Sequence, residues 1–353
     1  MPDVLSQLLP DTARVEDGEL VLGGVRASEL ARHFGTPLVV YDDATLRAQA
    51  RAYREAAPDA LIVLDSLDEL ERARTIGAQR CLIRVTPGID ADTHEGIMTG
   101  HLGSKFGLTP DDAVEAIRRL PECAGLHVHV GSQLLHFGAS LMTVTWIADF
   151  AARLRAELGW TPKIVDFGGG LGARHVLEEP SFTIGEFVGG LLAEHTRSWE
   201  LHDLPAAQLV LEPGRSIVSR AGVTLYSVGG VKQTSAATTF VTIDGGMSDN
   251  PRPAMYNARY TAMLANRADE EPTAAYSVAG KHCESSDVLI ERVELPEPRR
   301  GDLLAVPVTG AYTLSMSSNY NAVLRPPAVL VADSKARLIR RRETIQDLFA
   351  LEA

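Results

Sequence analysis

The stretch Val165-Asp166-Phe167-Gly168-Gly169-Gly170-Leu171-Gly172 decides the fold, because an apolar strand in it runs directly into three consecutive glycines. The β-branched run at residues 163–167 is typical of a strand buried in a parallel sheet. Glycine has no Cβ, so backbone N–H groups after such a strand can close on an anion, and φ > 0 becomes accessible. The triple glycine predicts a phosphate-binding turn. The alternative is a tight turn that binds no ligand.

Apolar strands alternate with helices on both sides of this stretch. Such alternation predicts a parallel sheet covered by helices, as in a (β/α)8-type barrel, where functional residues follow the carboxyl ends of the strands. Strands are predicted at residues 37–42, 61–65, 81–85, 126–130, 163–167 and 208–212, and helices at residues 26–35, 44–56, 67–76, 111–120, 141–158 and 185–197.

The pattern changes after about residue 216, where short strands with turn signals replace the long helical periods. This change predicts a C-terminal, mostly antiparallel β domain with a terminal helix at residues 343–351. The chain is therefore predicted to divide into an N-terminal segment (1–36) that packs with the β domain, a barrel-type domain (37–216) and the β domain (217–353).

The composition restricts the possible partners and compartments. A net charge of −12 argues against nucleic acid or an anionic membrane as the main partner. The N-terminus has no secretory signal pattern, and no stretch has the length of a membrane span. Cys81, Cys123 and Cys283 fit no zinc spacing and predict reduced thiols, hence a cytoplasmic protein without a metal site.

Several motifs follow one another along the chain in a fixed order. They are His-Val-His-Val-Gly-Ser-Gln (127–133), Asp-Phe-Gly-Gly-Gly (166–170), Glu-Pro-Gly-Arg (212–215), Asp-Asn-Pro-Arg-Pro (249–253), Cys-Glu-Ser-Ser-Asp (283–287) and Gly-Ala-Tyr (310–312), with Ser-Lys-Phe-Gly (104–107) and Ser-Asn-Tyr-Asn (318–321) in addition. Together these motifs resemble one family, the decarboxylases of the alanine-racemase-like fold that depend on pyridoxal phosphate. Among these enzymes the chain is most similar to the diaminopimelate decarboxylases.

The resemblance implies how the cofactor ring is held. Glu212 matches the carboxylate that faces the pyridine nitrogen and keeps it protonated, which favours the ring as an electron sink. His129 matches the histidine that stacks on the ring. Taken alone, Glu212 could be a surface residue in a turn, and His129 a satisfied core histidine. His127 shares the strand face of His129, because side chains repeat every two residues, and is expected to pack away from the ring.

The resemblance also assigns the phosphate and substrate contacts. Cys283 matches the acid that reprotonates the substrate carbanion, although a lone cysteine is often core filler. Glu284 matches the residue that pairs with the distal amine of diaminopimelate, while Ser286 replaces the usual glycine nearby. The implied cofactor contacts are Ser132, Gly168, Gly169, Gly170, Gly214, Arg215 and Tyr312, and the implied substrate contacts are Arg252, Tyr256, Glu284 and Tyr312.

One part of the family pattern is absent. The family's aldimine lysine lies on its first barrel strand, which should follow the helix ending near residue 57, but residues 61–70 resemble the fourth strand and the start of its helix. Three strand–helix units, and the lysine with them, are predicted to be missing. With about 30 residues in a βαβ unit, this is a gap of several tens of residues. Lys281, close to Cys283, is the best substitute by position. The lysines of the chain are Lys105, Lys163, Lys232, Lys281 and Lys335.

Five of eight strands cannot close a standard barrel, so the strand at residues 37–42 or a partner subunit is expected to cover the open edge. By resemblance the protein is a homodimeric decarboxylase that converts meso-diaminopimelate to lysine, with segments around Cys283 completing the neighbouring subunit's site. The missing lysine predicts reversible, non-covalent cofactor binding and very slow turnover. The alternatives are a catalytically dead homologue with a binding or regulatory role, and an internally deleted product without function.

Overall fold

The computed structural model describes residues 7–54, 61–75, 81–89, 99–100, 103–234 and 238–352. By its internal contacts the chain divides into two compact units. Residues 51–172 and 180–216 form one, called here the parallel-sheet unit. Residues 1–50, 173–179 and 217–353 form the other, called the mixed-sheet unit.

The described elements are numbered in chain order. The strands are β1 Arg14–Glu16, β2 Glu19–Leu22, β3 Val25–Arg26, β4 Leu38–Asp42, β5 Ile62–Leu64, β6 Cys81–Arg84, β7 Gly125–His127, β8 Ile164–Asp166, β9 Gln208–Val210, β10 Gly222–Gln233, β11 Thr239–Ile243, β12 Met263–Leu264, β13 Ala274–Ala279, β14 Val288–Leu295, β15 Leu303–Val306, β16 Ala328–Ala332 and β17 Lys335–Arg340. The helices are α1 Ala27–Phe34, α2 Asp43–Arg54, α3 Leu67–Thr75, α4 Pro110–Arg119, α5 Gly138–Leu158, α6 Ile184–Leu201, α7 Arg215–Val218, α8 Arg252–Tyr256 and α9 Ile345–Leu348, with 3-10 turns at Ala265–Arg267, Leu314–Met316 and Tyr320–Ala322.

The described part of the parallel-sheet unit contains a sheet of five parallel strands in the order β5-β6-β7-β8-β9. The predicted parallel sheet is therefore confirmed, strand for strand from residue 61 onward. One face of the sheet is apolar, because Ile83, Leu126 and Val165 are register partners on β6, β7 and β8. These residues form one buried cluster with side chains from α4, α5 and α6, and burial of this apolar surface is the main stabilising contribution.

Two of the helices that cover this face, α4 and α6, begin where the sequence provides capping groups. Thr109 accepts a hydrogen bond from the N–H of Asp112, and Pro110 occupies the first turn of α4. Thr183 and Glu186 form a reciprocal capping box at the start of α6. These short-range signals explain why the predicted helices agree closely with the structure.

The mixed-sheet unit contains a sheet in the order β14-β13-β11-β10-β4-β16-β17, and β15 pairs with both β10 and β12. Strand β10 is long enough to pair antiparallel with β4, β11 and β15. Strand β4 also pairs in parallel with β16, so it lies inside this sheet. The expectation that residues 37–42 replace a missing barrel strand is wrong, because both edges of β4 are already paired here.

Two large apolar clusters hold the mixed-sheet unit together, beside a smaller one formed by Leu8, Ala173 and Val308. Leu38 and Val40 of β4 pack in one with residues of β10, β16 and α1. Tyr226 and Val241 belong to the other, which also contains Tyr276. Among the helices that the structure describes, none is long and apolar enough to span a membrane.

Candidate active site

Polar side chains cross the carboxyl edge of the parallel sheet in a single row. Arg84, His127 and Asp166 are register partners on β6, β7 and β8, so their side chains project from the same face. Asp166 pairs with Val210 of β9, and Glu212, two residues later, returns to that face. The polar row consists of Asp65, Arg84, His127, Asp166 and Glu212.

The two ends of the polar row are ion-paired or hydrogen-bonded. Arg84 Nη1 lies 3.1 Å from Asp65 Oδ1. At the other end His127 Nε2 lies 3.2 Å from Glu212 Oε2. His127 is only 3% exposed, whereas the Glu212 side chain is 48% exposed. The hydrogen bond from His127 lowers the pKa of Glu212, although partial burial opposes this effect, so Glu212 is ionised at neutral pH.

The expectation for His127 therefore needs correction. It was expected to pack away from the cofactor site, but its ring contacts the carboxylate proposed to face the cofactor. One ring nitrogen of His127 and one carboxylate oxygen each of Asp166 and Glu212 lie within 4.8 Å of one another. The period of two in His127-Val128-His129 was the sequence signal for the shared face, whereas the register that places His127 beside Asp166 is seen only in the structure.

Asp166 connects the polar row to the glycine turn. Its Oδ1 accepts a hydrogen bond of 2.8 Å from the N–H of Gly168. Burial raises the pKa of Asp166 to about 6, with a smaller raising effect from Glu212 and an opposing effect from His127. A buried carboxylate anchored in this way fixes the first peptide of the glycine turn.

The glycine turn can be built only from residues without a Cβ. Gly168 and Gly170 have φ of 64° and 109°, in the region that favours glycine. A Cβ on Gly169 would lie 2.3 Å from the backbone oxygen of Glu212. The N–H of Gly168 donates to Asp166 and that of Gly169 to His129. Within the described residues this leaves the N–H of Gly170 as the uncommitted donor of the three.

His129 is held at a fixed orientation above this turn. Its Nδ1 accepts the hydrogen bond from Gly169, with 3.2 Å between the two nitrogens. Burial lowers the pKa of His129 to about 4; Arg84 and His127 add to the effect, and Glu212 opposes it. The imidazole is therefore neutral at physiological pH and can lie against a cationic ring without charge repulsion.

A second group of predicted cofactor residues lies in the same unit. Arg215, at the start of α7, is 7% exposed and donates from Nη2 to Ser132 Oγ at 3.0 Å. A buried cation beside a hydroxyl group has the chemistry that a phosphate requires. At Gly214 a Cβ would contact nothing within 4 Å, so no close approach explains the glycine there.

The predicted substrate residue Arg252 lies in the mixed-sheet unit and is 2% exposed. Its Nη1 lies 2.9 Å from both His175 Nε2 and the Tyr260 hydroxyl. His175 and Tyr260 were not identified from the sequence as partners of Arg252. In the chain His175 lies 77 positions before Arg252, and Tyr260 lies 8 positions after it. Tyr256, at the end of α8, is half-buried.

The segment around Cys283 belongs to the same unit. Cys283 is a free, exposed thiol, and Glu284 accepts a short hydrogen bond from the Tyr320 hydroxyl. The segment is anchored by Asp287, whose carboxylate accepts from the N–H groups of His282 at 2.8 Å and Met247 at 2.7 Å. The thiol is thus presented on a braced turn.

Tyr312, the last of the predicted site residues, is held in an uncommon backbone conformation. Its φ is 58° and its side chain is 47% exposed. Val308, a β-branched residue four positions earlier, has the same φ. Left-handed backbone at such residues costs energy and is concentrated at functional sites. The Gly-Ala-Tyr turn is therefore a candidate part of a functional site.

The structure thus brings His129, Glu212 and residues 168–170 together in the parallel-sheet unit, with Ser132 and Arg215. The predicted substrate residues belong to the mixed-sheet unit. All the lysines of the chain lie in described segments, and every one of them is exposed at the protein surface. Lys105 Nζ lies 5.0 Å from the centre of the Phe106 ring, and Lys163 precedes the amino end of β8.

Comparison with known proteins gives a consistent result. The family described as "Pyridoxal-dependent decarboxylase, pyridoxal binding domain" matches residues 40–219. Diaminopimelate decarboxylase of Actinosynnema pretiosum subsp. auranticum is 39% identical, over 99% of this chain and 96% of that protein. The corresponding enzyme of Halalkalibacterium halodurans is 33% identical over 97% of each chain.

Solved structures agree with the sequence comparisons. The diaminopimelate decarboxylase of M. jannaschii in complex with L-lysine superimposes with a TM-score of 0.86 at 29% identity, covering 98% of each chain. The alignment with the Actinosynnema relative spans 432 positions, whereas this chain has 353 residues. That relative therefore contains residues that have no counterpart here.

Proposed function

This chain belongs to the pyridoxal-dependent decarboxylase family, and we propose that it is a diaminopimelate decarboxylase, which removes one carboxyl group from meso-diaminopimelate and forms lysine. The observation that carries the proposal is the arrangement at the carboxyl edge of the parallel sheet. There Glu212, His129 and the glycine turn are joined by direct hydrogen bonds into one group. The names of the relatives supply the substrate and the biosynthetic role.

The residues of this edge fit pyridoxal phosphate. Glu212 is an ionised carboxylate with the charge that a protonated ring nitrogen requires. His129 offers a neutral aromatic face. The Gly170 N–H, Ser132 and Arg215 offer donors to a phosphate dianion. When bound, pyridoxal phosphate supplies the electron sink that takes up the electron pair left behind by departing carbon dioxide.

The remaining predicted residues are proposed to act on the substrate. Arg252 would bind a carboxylate, and its rigid contacts with His175 and Tyr260 would fix its direction. Glu284 would pair with the distal ammonium group, and Cys283 would donate the proton that replaces the lost carboxyl group at Cα. Tyr256 and Tyr312 would orient substrate and cofactor. The exposed thiol and the half-exposed Tyr312 support these assignments, because both can be reached by a ligand.

We propose that the cofactor is bound without a covalent bond. An amine that bonds a carbonyl cofactor needs a lowered pKa, which comes from burial or nearby cations. All the lysines of this chain are exposed. Binding would then rest on the phosphate, ring nitrogen and ring-face contacts, and turnover would be very slow.

The architecture is proposed to be an incomplete (β/α)8-type barrel with five of the eight strand–helix units, followed by a C-terminal, mostly antiparallel β domain. The excess of alignment positions over residues supports a missing internal segment. The domain boundaries at residues 1–36, 37–216 and 217–353 stay a prediction. The family match at residues 40–219 supports the predicted domain at residues 37–216. Strand β4, at the start of that range, pairs within the mixed sheet.

We also propose a cytoplasmic homodimer. Free Cys81, Cys123 and Cys283 suit a reducing compartment. A parallel sheet with β5 and β9 at its described edges has surface for another chain to cover. Static light scattering at micromolar concentration would give twice the monomer mass. A stable monomer would contradict the assembly.

The experiment that tests the function measures lysine formed from meso-diaminopimelate with excess pyridoxal phosphate, against a protein-free control. Lysine above the control is expected, and Glu212→Gln should abolish the excess. Glu200→Gln on the exposed surface of α6 is the matched control and should change nothing. No lysine from the unmodified protein, together with no binding of pyridoxal phosphate, would overturn the proposal. The names of the relatives do not support the alternative of a regulatory homologue.

A further inference from the structure

Two side chains of the polar row, His127 and Asp166, are buried and have no role in the function proposed above. His127 and Asp166 are each 3% exposed, and both lie on the face and at the edge of the sheet that carry Glu212. Burying a polar side chain costs free energy unless it is hydrogen-bonded. A sheet that needed only packing at these positions could use apolar residues, as its opposite face does.

The hydrogen bond between His127 and Glu212 has a defined direction. An ionised carboxylate can only accept, so the hydrogen must be on His127 Nε2. The other ring nitrogen, Nδ1, is buried and has no hydrogen-bond partner among the described residues. A buried acceptor without a partner is tolerated more often than a buried N–H without one. The hydrogen of this bond therefore belongs to His127 Nε2.

This bond leaves one carboxylate oxygen of Glu212 for a ligand. Oε2 is engaged by His127, and within the described part of the chain Oε1 makes no hydrogen bond. Without His127 the half-exposed Glu212 side chain would be free to rotate into solvent. Asp166 lies on the strand between them, in register with His127, and its carboxylate is held by the N–H of Gly168.

We infer that His127 is a positioning residue for the cofactor: its Nε2–H holds Oε2 of Glu212 so that Oε1 meets the protonated ring nitrogen of pyridoxal phosphate. The inference rests on the proposed function and deepens it, since it names the group that orients the nitrogen contact. The hydrogen bond also lowers the pKa of Glu212, which keeps that carboxylate ionised beside the ring.

The test compares the binding of pyridoxal phosphate with the binding of its 1-deaza analogue, in which carbon replaces the ring nitrogen. The ratio of the two dissociation constants isolates the nitrogen contact, because phosphate and ring-face contacts are common to both ligands. A charge-assisted hydrogen bond predicts that the unmodified protein prefers the natural cofactor by about tenfold or more. Equilibrium dialysis measures both constants without any need for turnover.

Three variants separate positioning from packing. His127→Met keeps the length but removes the donor, and its preference should fall to nearly onefold. His127→Gln can bring an amide N–H to the place of Nε2 and should retain most of the preference. His127→Asn, which is too short to reach Glu212, should behave like His127→Met and replaces it if that variant does not fold.

Each outcome either supports or overturns the positioning role of His127. A full preference in His127→Met or His127→Asn would overturn the inference, because Glu212 would then need no support. Equal binding of both ligands by the unmodified protein would overturn it too, since Glu212 would not contact the nitrogen. If the unmodified protein binds neither ligand, the proposed function fails, and this result is distinct from the first two.

Discussion

Nδ1 of His129 accepts a hydrogen bond from the backbone N–H of Gly169, with 3.2 Å between the nitrogens. The bond ties the ring proposed to stack on the cofactor to the turn proposed to hold its phosphate. One peptide therefore sets the relative position of two ligand contacts, which makes the site rigid before a ligand arrives.

The first prediction concerns the charge of His129. Burial lowers the pKa of its imidazole to about 4, against about 6.5 in the unfolded chain. Between pH 4 and pH 6.5 the imidazole of His129 is protonated in the unfolded chain but not in the folded one. The free energy of unfolding therefore rises with pH in this range, by at most about 1.4 kcal/mol per pH unit. Its stabilising contribution is complete above pH 6.5 and declines as the pH falls to 4.

An NMR titration of the imidazole carbons in the folded protein measures this pKa directly. The midpoint for His129 is expected near pH 4, and the same protein in denaturant should titrate near 6.5. A folded-state midpoint above 6 would contradict the burial and hydrogen bonding described for the ring.

The second prediction concerns the glycine turn. Gly169→Ala would bring a Cβ to 2.3 Å from the backbone oxygen of Glu212, so the turn or the Glu212 segment must shift. We expect a loss of about 2 kcal/mol in unfolding free energy and loss of pyridoxal phosphate binding. Gly189→Ala in α6 is the control, since its Cβ contacts nothing, and should stabilise by about 0.5–1 kcal/mol. Denaturant unfolding of both variants checks the opposite signs.

The third prediction concerns a buried acid in the mixed-sheet unit. The Tyr226 hydroxyl donates to Asp249 Oδ2 at 2.5 Å. Burial raises the pKa of Asp249 to about 6. The hydrogen bond from Tyr226 lowers this pKa, so the value would be higher without it. Tyr226→Phe removes the donor from a buried carboxylate and should cost about 2 kcal/mol at pH 8.

The loss should shrink at low pH. Without the hydroxyl the folded-state pKa of Asp249 rises further above its unfolded value of about 3.9, so the penalty applies in full only where the carboxylate is ionised. Tyr276→Phe in the same apolar cluster is the matched control. Equal losses for Tyr226→Phe at pH 4 and pH 8 would contradict this account of Asp249.

The fourth prediction concerns added amines. If the site has no lysine to bond the cofactor, a small primary amine can take that part from solution. Ethylamine should therefore raise the rate of lysine formation from meso-diaminopimelate. Triethylamine is a similar base that cannot form the bond, and it should have no effect. Equal responses to the two amines would show that only buffering had changed.

The sequence predicted those parts of the fold that depend on neighbouring residues. Helices α4 and α6 were predicted at residues 111–120 and 185–197, because helical periodicity is a local signal. The five parallel strands were found because each is a short apolar run between helices. The pairing of β4 with β10 and β16 was missed, since strand partners far apart in the chain leave no local signal.

The candidate site shows the same limit. Motif resemblance identified Glu212, His129 and the glycine turn. The bond between His127 and Glu212 depends on the register of β7, β8 and β9, which a single sequence does not specify. Likewise, nothing near Arg252 in the sequence indicates its contact with His175.

The most direct test of the central claim is borohydride reduction of the protein saturated with pyridoxal phosphate, followed by peptide mass mapping. The account predicts no pyridoxyl adduct on any lysine, cofactor that is fully removed by dialysis, and turnover that is very slow but above the protein-free control. A stoichiometric adduct on Lys105 or Lys281 together with ordinary turnover would contradict it, because a lysine of this chain would then bond the cofactor.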